Sequence, residues 1–384
     1  MKRISILVLI LCACFVSVAW GEQLTCPART PWGQFHRHNM QRRNPCEKVL
    51  NVNNVGSLHR KWSYRTGGGV RSAPAVVNGV VYVSSFDGNL YALDARTGAK
   101  RWSYSGDFGN CGSTCWTTPS AAVANGVVYV GSFDNNVYAL NGSTGAKLWS
   151  YTTGNGVDSS PAVANGVVYV GSRDGNVYAL DARTGAKLWS YTTGDYVESS
   201  PAVANGVVYV GSNDLNVYAL DASTGALLWS YATGDWVYSS PAVANGVVYV
   251  GSWNFNMYGL NADTGALLWS YPTGYETVSS PAVANGVVYV GSDADHNVYA
   301  LNADTGAKLW NYPTGYYVGS SPAVANGVVY VGSADDNVYA LDARTGAKLW
   351  SYTTGGAVDS PPAVANGMVY VGSDDGKVYA FGLN

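Results

Sequence analysis

The residues able to do chemistry recur about every forty positions. Asp158, Asp195 and Asp235, with Glu198 and Glu276, occupy near-equivalent places in successive stretches, and Glu198 and Glu276 are the only glutamates between residues 60 and 384. Carboxylates gathered on one rim offer the hard oxygen ligands a Ca²⁺ ion takes. Aromatics stand among them: Tyr196, Trp236, Tyr238, Trp253, Tyr275, Tyr316 and Tyr317, with Trp116 on a separate loop. Aromatic rings beside polar groups are typical of recognition surfaces. Two chemistries are therefore expected, cation coordination or ligand binding, and no particular metal is implied. Nucleophilic catalysis is not indicated. The four histidines are His36, His38, His59 and His296, three of them outside the repeats, and they form no Ser-His-Asp set. No residue is assigned a catalytic role.

These residues sit between runs that barely change. SSPAVANGVVYVGS stands at 159–172 and returns at 199–212, 239–252, 279–292 and 320–333. One unit, VDSSPAVANGVVYVGSRDGNVYALDARTGAKLWSY (157–191), reads as four short strands. Asn165-Gly166 is a two-residue hairpin signal, because both central residues must take positive φ. RDGN marks a second turn, and Asp181 with Thr184-Gly185 a third. Four antiparallel strands in roughly 40 residues is the signature of a propeller blade. The fourth-strand tryptophan recurs at Trp62, Trp102, Trp149, Trp189, Trp229, Trp269, Trp310 and Trp350, and the Asn-Gly turn also occurs eight times. The two series are out of phase at the ends. A lone fourth strand, RKWSY, opens the region, and KVYAFGLN ends it on a third strand. An all-β, eight-bladed propeller is predicted over residues 60–384, its last blade completed by the N-terminal strand. This pairing removes the exposed edge of an open array. Fixed-period tryptophans read as core wedges between blades.

The pattern ALDARTGAKLW, recurring with NGVVYVGS, resembles the tryptophan-motif repeat of the pyrroloquinoline quinone (PQQ) propeller family. That resemblance implies two kinds of relative: quinoprotein alcohol dehydrogenases, and the lipoprotein subunit of the outer-membrane barrel-assembly machinery, which binds no quinone. Fold alone does not choose between them. In the quinone enzymes, a disulfide between adjacent cysteines covers the cofactor. Here Cys111 and Cys115 are three residues apart, in an insertion beside Trp116, so the feature is not reproduced.

The N-terminus reads as an export signal. Lys2 and Arg3 precede an apolar stretch, Ile4 to Val18, and Ala19-Trp20-Gly21 is a small-x-small cleavage site. Cleavage would take the net charge from −3 to −5 by removing those two cations, and would leave no spanning segment. A lipobox-like reading of Leu11-Cys12-Ala13-Cys14 is the second option, giving a lipid-anchored form. The expected organisation is a signal at 1–21, a segment at 22–59 packing on the ring, and the propeller at 60–384. Trp32 and Phe35 would anchor the segment as apolar contacts. The four remaining cysteines, Cys26, Cys46, Cys111 and Cys115, suggest two disulfides in a periplasmic or extracellular protein. Closeness in sequence favours Cys26–Cys46 and Cys111–Cys115.

The copies differ mainly in the loop after WSYxTG and in the turn between second and third strands. In a propeller both emerge on one face, so the variable residues form one rim around the channel mouth, rich in aromatics and carboxylates with almost no cations. With no Lys/Arg block in the repeats, nucleic acid is excluded as a partner. The expectation is a monomeric, non-catalytic scaffold without a cofactor, binding a protein, peptide or glycan on that rim. The alternative is a PQQ-dependent dehydrogenase with Ca²⁺ at the channel mouth.

Overall fold

In a computed structural model, described for residues 32–35, 41–109, 118–274 and 278–384, the chain forms eight antiparallel sheets of four blade strands each. The third blade shows the plan: an inner strand Ala162–Ala164, then Val167–Gly171, Asn176–Asp181 and an outer strand Lys187–Thr192. Its first turn takes the conformation the sequence requires, with Asn165 at φ 50° and Gly166 at φ 78°. The eighth blade is completed across the chain ends. His59–Arg65 pairs antiparallel with Lys377–Gly382, and Trp62 faces Ala380.

The core lies between blades. Val168, Val170, Tyr169 and Leu180 are buried, as are their counterparts in every sheet, and each hydrophobic cluster joins neighbouring blades. The tryptophans make these joints. The Trp149 indole donates to the Ala182 carbonyl of the next blade at 3.0 Å, and the same bond recurs from Trp62 to Trp310. At the seam, Trp350 donates instead to Leu58, ahead of the closing strand. Each of the seven rings from Trp62 to Trp310 lies against a glycine in the next blade's last turn. A Cβ on Gly185 would stand 2.7 Å from the Trp149 ring.

Two belts of serine surround the channel. The Ser160 N–H donates to the Ser200 hydroxyl, Ser200 to Ser240, Ser240 to Ser280 and Ser280 to Ser321, each at 2.9 Å. A second belt runs from the Ser199 hydroxyl to the Ser239 carbonyl and onward to Ser360 and Ser72. The first belt lapses between the eighth and first blades, where Pro361 of the eighth has neither hydroxyl nor N–H and Ala73 of the first has no hydroxyl.

The segment before the ring lies along the inner strands on the opposite face. Trp32 exchanges backbone bonds with Val76, Gly33 accepts from Val123, Gln41 from Val283 and Arg42 from Val324. Inner-strand N–H groups that would otherwise be edge donors are thereby satisfied. Arg42 is fully buried and donates to the carbonyls of Phe35 (2.6 Å), Pro322 (2.8 Å), Ser321 (3.3 Å) and Pro362 (3.4 Å). Its guanidinium also lies 4.6 Å from the Phe35 ring centroid. Cys46 is buried and disulfide-bonded, with its partner outside the described residues. Cys26, Cys111 and Cys115 lie outside them too.

Candidate functional site

One register position per blade decides what faces the channel mouth. It lies two residues before the first serine belt and is held by Arg71, Thr118, Asp158, Glu198, Tyr238, Val278, Gly319 and Asp359. All eight line a single cavity of about 90 Å³, with the belt serines and Phe35. The strands of the blades are close to copies, but here seven residue types occupy eight equivalent places. The local backbone makes this position point inward. The preceding valine, such as Val157 or Val197, is buried between blades, and the serine that follows Glu198, Ser199, turns into the second belt.

A second variable position supports the first. The residue opening each second-to-third turn donates its N–H to the carbonyl of the loop beside it, as Arg173 does to Gly156, Asn213 to Tyr196 and Trp253 to Trp236. The two variable loops therefore stand together at the mouth. Arg173 uses this proximity to hold two blades, with Nη2 2.5 Å from Asp158 Oδ2 and 2.8 Å from Glu198 Oε1. Asn213 donates to Glu198 Oε2 at 3.1 Å. Across the mouth, Arg71 takes Asp374 through Nε and Nη2, at 3.0 and 2.6 Å, and stands 3.5 Å from Asp359. That bridge spans the seam between the eighth and first blades, where the first serine belt lapses. The two arginines correct the expected near-absence of cations on this rim.

The electrostatics are set by burial. Asp158 is pushed up to about 7 by loss of solvent, opposed by Arg173 and reinforced by Glu198. Asp359 is raised to about 6 by burial, against the attraction of Arg71 and with the repulsion of Asp374. Several polar atoms here have no hydrogen-bond partner: Asp158 Oδ1, Asp359 Oδ1, Thr118 Oγ1, Arg173 Nε, Asn213 Oδ1 and Trp253 Nε1. Buried polar atoms ordinarily find partners, so this concentration marks a place where something polar is accommodated.

Among the sequence candidates, the fold brings Asp158, Glu198, Tyr238 and Trp253 into the cavity lining. Trp236, Tyr238 and Trp253 form an aromatic cluster with centroids 5.0–5.9 Å apart. Tyr317 belongs to a different part of the rim, its hydroxyl 3.4 Å from Asp359. Tyr196, Trp236 and Tyr316 are exposed on the crest, where Tyr316 packs on Tyr317 and His296. Asp195 and Asp235 accept from the N–H groups of Tyr196 and Trp236 and do not line the cavity. Trp116, Tyr275 and Glu276 lie outside the described residues. Arg71, Thr118, Asp359 and Arg173 were missed as site residues. Aligning all eight blades on the serine belt exposes the first three.

A quinone with Ca²⁺, as the family resemblance implies, does not fit these residues. The cavity carboxylates are engaged by arginine, and a planar, multiply anionic quinone would meet three of them. Its bulk calls for a pocket of several hundred Å³, well above the volume here. No group of three or more metal-ligating side chains occurs among the described residues.

Comparisons with known proteins agree with the fold. The family model described as the β-propeller of the beta-alanine-activating enzyme matches residues 117–327. Those of the outer membrane protein assembly factor BamB and of the glucose/ethanol/alcohol dehydrogenase β-propeller domain match 294–383 and 32–118. The quinoprotein alcohol dehydrogenase PedH of Pseudomonas putida is 40% identical over 68 residues, covering 17% of this chain and 11% of that protein. The matched stretch is thus about a tenth of the length of the first curated relatives. BamB from Moraxella catarrhalis superposes with a TM-score of 0.70 at 23% identity, over 85% of this chain and 100% of that one. Quinohemoprotein alcohol dehydrogenase ADHIIG from Pseudomonas putida HK5 gives 0.80 at 21% identity, over 92% and 80%. With more than half its length matched by the propeller model of the beta-alanine-activating enzyme and its flanks by two others, the chain belongs to the PQQ-like and BamB-like β-propellers.

Proposed function

We propose that this protein is an exported, non-catalytic propeller that binds a protein or peptide partner through its variable rim and channel mouth. The observation that supports this most is the register position facing the cavity, which carries seven residue types while the strands of the repeat stay nearly constant. Unlike residues facing one cavity are what recognition needs. Exposed Tyr196, Trp236 and Tyr316 add the aromatic anchors common in binding surfaces. Likeness to BamB, an assembly factor by name, is in keeping with this reading.

The test is binding of an immobilised peptide library to the mature protein and to Trp236→Ala and Tyr316→Ala. Sequence-selective binding that weakens about tenfold or more in either variant is expected, the size of one lost hot-spot contact. Selective binding untouched by both substitutions removes the rim from the reading. Selective binding of glycans alone would move the reading to carbohydrate. The second reading, a quinoprotein dehydrogenase, is favoured by the aligned alcohol dehydrogenases. It requires saturable uptake of PQQ with Ca²⁺, dye-linked alcohol oxidation, and loss of both in Glu198→Gln.

A further inference from the structure

The cup at the channel mouth is short of positive charge. Arg173 is shared by Asp158 and Glu198, and Arg71 by Asp359 and Asp374, so each guanidinium serves two carboxylates. One oxygen on each side, Asp158 Oδ1 and Asp359 Oδ1, has no hydrogen-bond donor. The Asp158 side chain is only 5% exposed, so water of the open rim does not hydrate it freely. Thr118, 3% exposed, also lines the cavity with its hydroxyl unpartnered. Aromatic faces complete the wall at Tyr238 and Trp253, and Phe35 lines the same cavity.

We propose that this cup takes one organic cation, an alkylammonium or guanidinium on a slender aliphatic stem, with Asp158 and Asp359 as its carboxylate partners. The proposal rests on the binding reading above and names the chemistry that the cup would select. A cation supplies the donors the two free oxygens lack and the charge each bridge is missing. A neutral polyol would supply only the donors. Aromatic faces favour a cation that has left water. A cavity of about 90 Å³ has room for the charged head and slender stem of such a cation.

Proton linkage gives a readout independent of affinity. Asp158 faces Arg173 and Glu198, with Tyr238 packed on Glu198; Asp359 faces Arg71, Asp374 and Tyr317. Burial raises both carboxyls, to about 7 and about 6, so an arriving cation displaces a proton near neutrality. Binding should therefore strengthen from pH 5.5 to 8.

The experiment is calorimetric titration of the full chain with capped lysine (Nα-acetyl-lysine methylamide), its Nε-acetylated form, putrescine and a methyl hexoside. Saturable binding of capped lysine or putrescine, with proton release, is expected. Each of Asp158→Asn and Asp359→Asn should weaken it about tenfold or more, with melting temperatures at or above that of the parent. Capped lysine binding assigns the cup to a partner's side chain, and putrescine alone to a free amine. Equal binding of the charged and acetylated lysines, binding of the hexoside alone, or no saturation by any probe overturns the proposal. If the cations fail while Trp236→Ala still abolishes peptide binding, the cup inference falls and the rim reading stands.

Discussion

Two carboxylates two residues ahead of a serine behave unlike two others in the neighbouring loops. Asp195 and Asp235 satisfy backbone N–H groups in their own turns, and Asp158 and Glu198 are carried inward onto Arg173. Removing that guanidinium leaves two buried charges without a counterion, which typically costs several kcal/mol. Arg173→Met should lose about 2–4 kcal/mol in urea unfolding at pH 8 and less at pH 5, where Asp158 takes up a proton. The parent should show a related trend. Asp158 and Asp359 titrate above the ordinary carboxylate range, so between roughly pH 4 and 7 the folded form holds more protons than the unfolded chain. Stability then falls as pH rises through that window, and Asp158→Asn should flatten the slope. A parent whose stability rises steadily from pH 5 to 8 would contradict the burial argument. Composition and spacing marked Asp158 and Glu198 as carboxylates worth attention. They did not separate them from Asp195 and Asp235, because inward aim is set by register against the serine belt. Arg71 and Asp359 escaped for another reason: the informative comparison includes the irregular first and eighth blades.

The blade was legible because each of its elements carries a local signal. Asn-Gly supplies two positive φ angles, the alternating strands supply two buried faces, and tryptophan at a fixed period supplies the joint. The sequence does not show that the joint needs a glycine in the next blade. Gly185 and Gly166 both have positive φ, 75° and 78°, so alanine at either position incurs the same backbone strain. Their surroundings differ. A Cβ at Gly166 meets nothing within 4 Å, and one at Gly185 meets the Trp149 ring at 2.7 Å. Gly166→Ala should cost about 1 kcal/mol, the left-handed penalty alone. Gly185→Ala should cost about 1–3 kcal/mol more, because the indole must leave its carbonyl partner to make room. Equal losses in denaturant midpoint would mean that the Trp–Gly dock contributes nothing beyond backbone conformation.

At the scale of the molecule, eight near-identical blades give a symmetric ring, and function requires that symmetry to be broken. Three features break it together. Pro361 and Ala73 interrupt the first serine belt beside the seam, Arg71 bridges that seam on the variable face, and the N-terminal segment lines the other face. Of this segment, Phe35 lines the cavity, and Arg42 holds the Phe35 carbonyl. Sequence alone marked this segment by its aromatic anchors, Trp32 and Phe35, but nothing in its composition singles out Arg42. That role depends on carbonyls contributed by residues some 280 and 320 positions away. Burial lowers the Arg42 guanidinium to about 9, which leaves it charged at neutral pH, with its donors spent on carbonyls rather than on a carboxylate. Arg42→Met keeps most of the stem but strands those carbonyls, at about 1–3 kcal/mol for each buried acceptor left unpaired. The expected result is a loss of at least about 3 kcal/mol in global stability, together with faster hydrogen exchange at the inner-strand amides of Val283 and Val324, which the segment caps. A substitution that left both stability and those amides unchanged would show that the segment merely rests on the ring. Loss of amide protection at unchanged stability would show instead that it closes the channel without holding the propeller together.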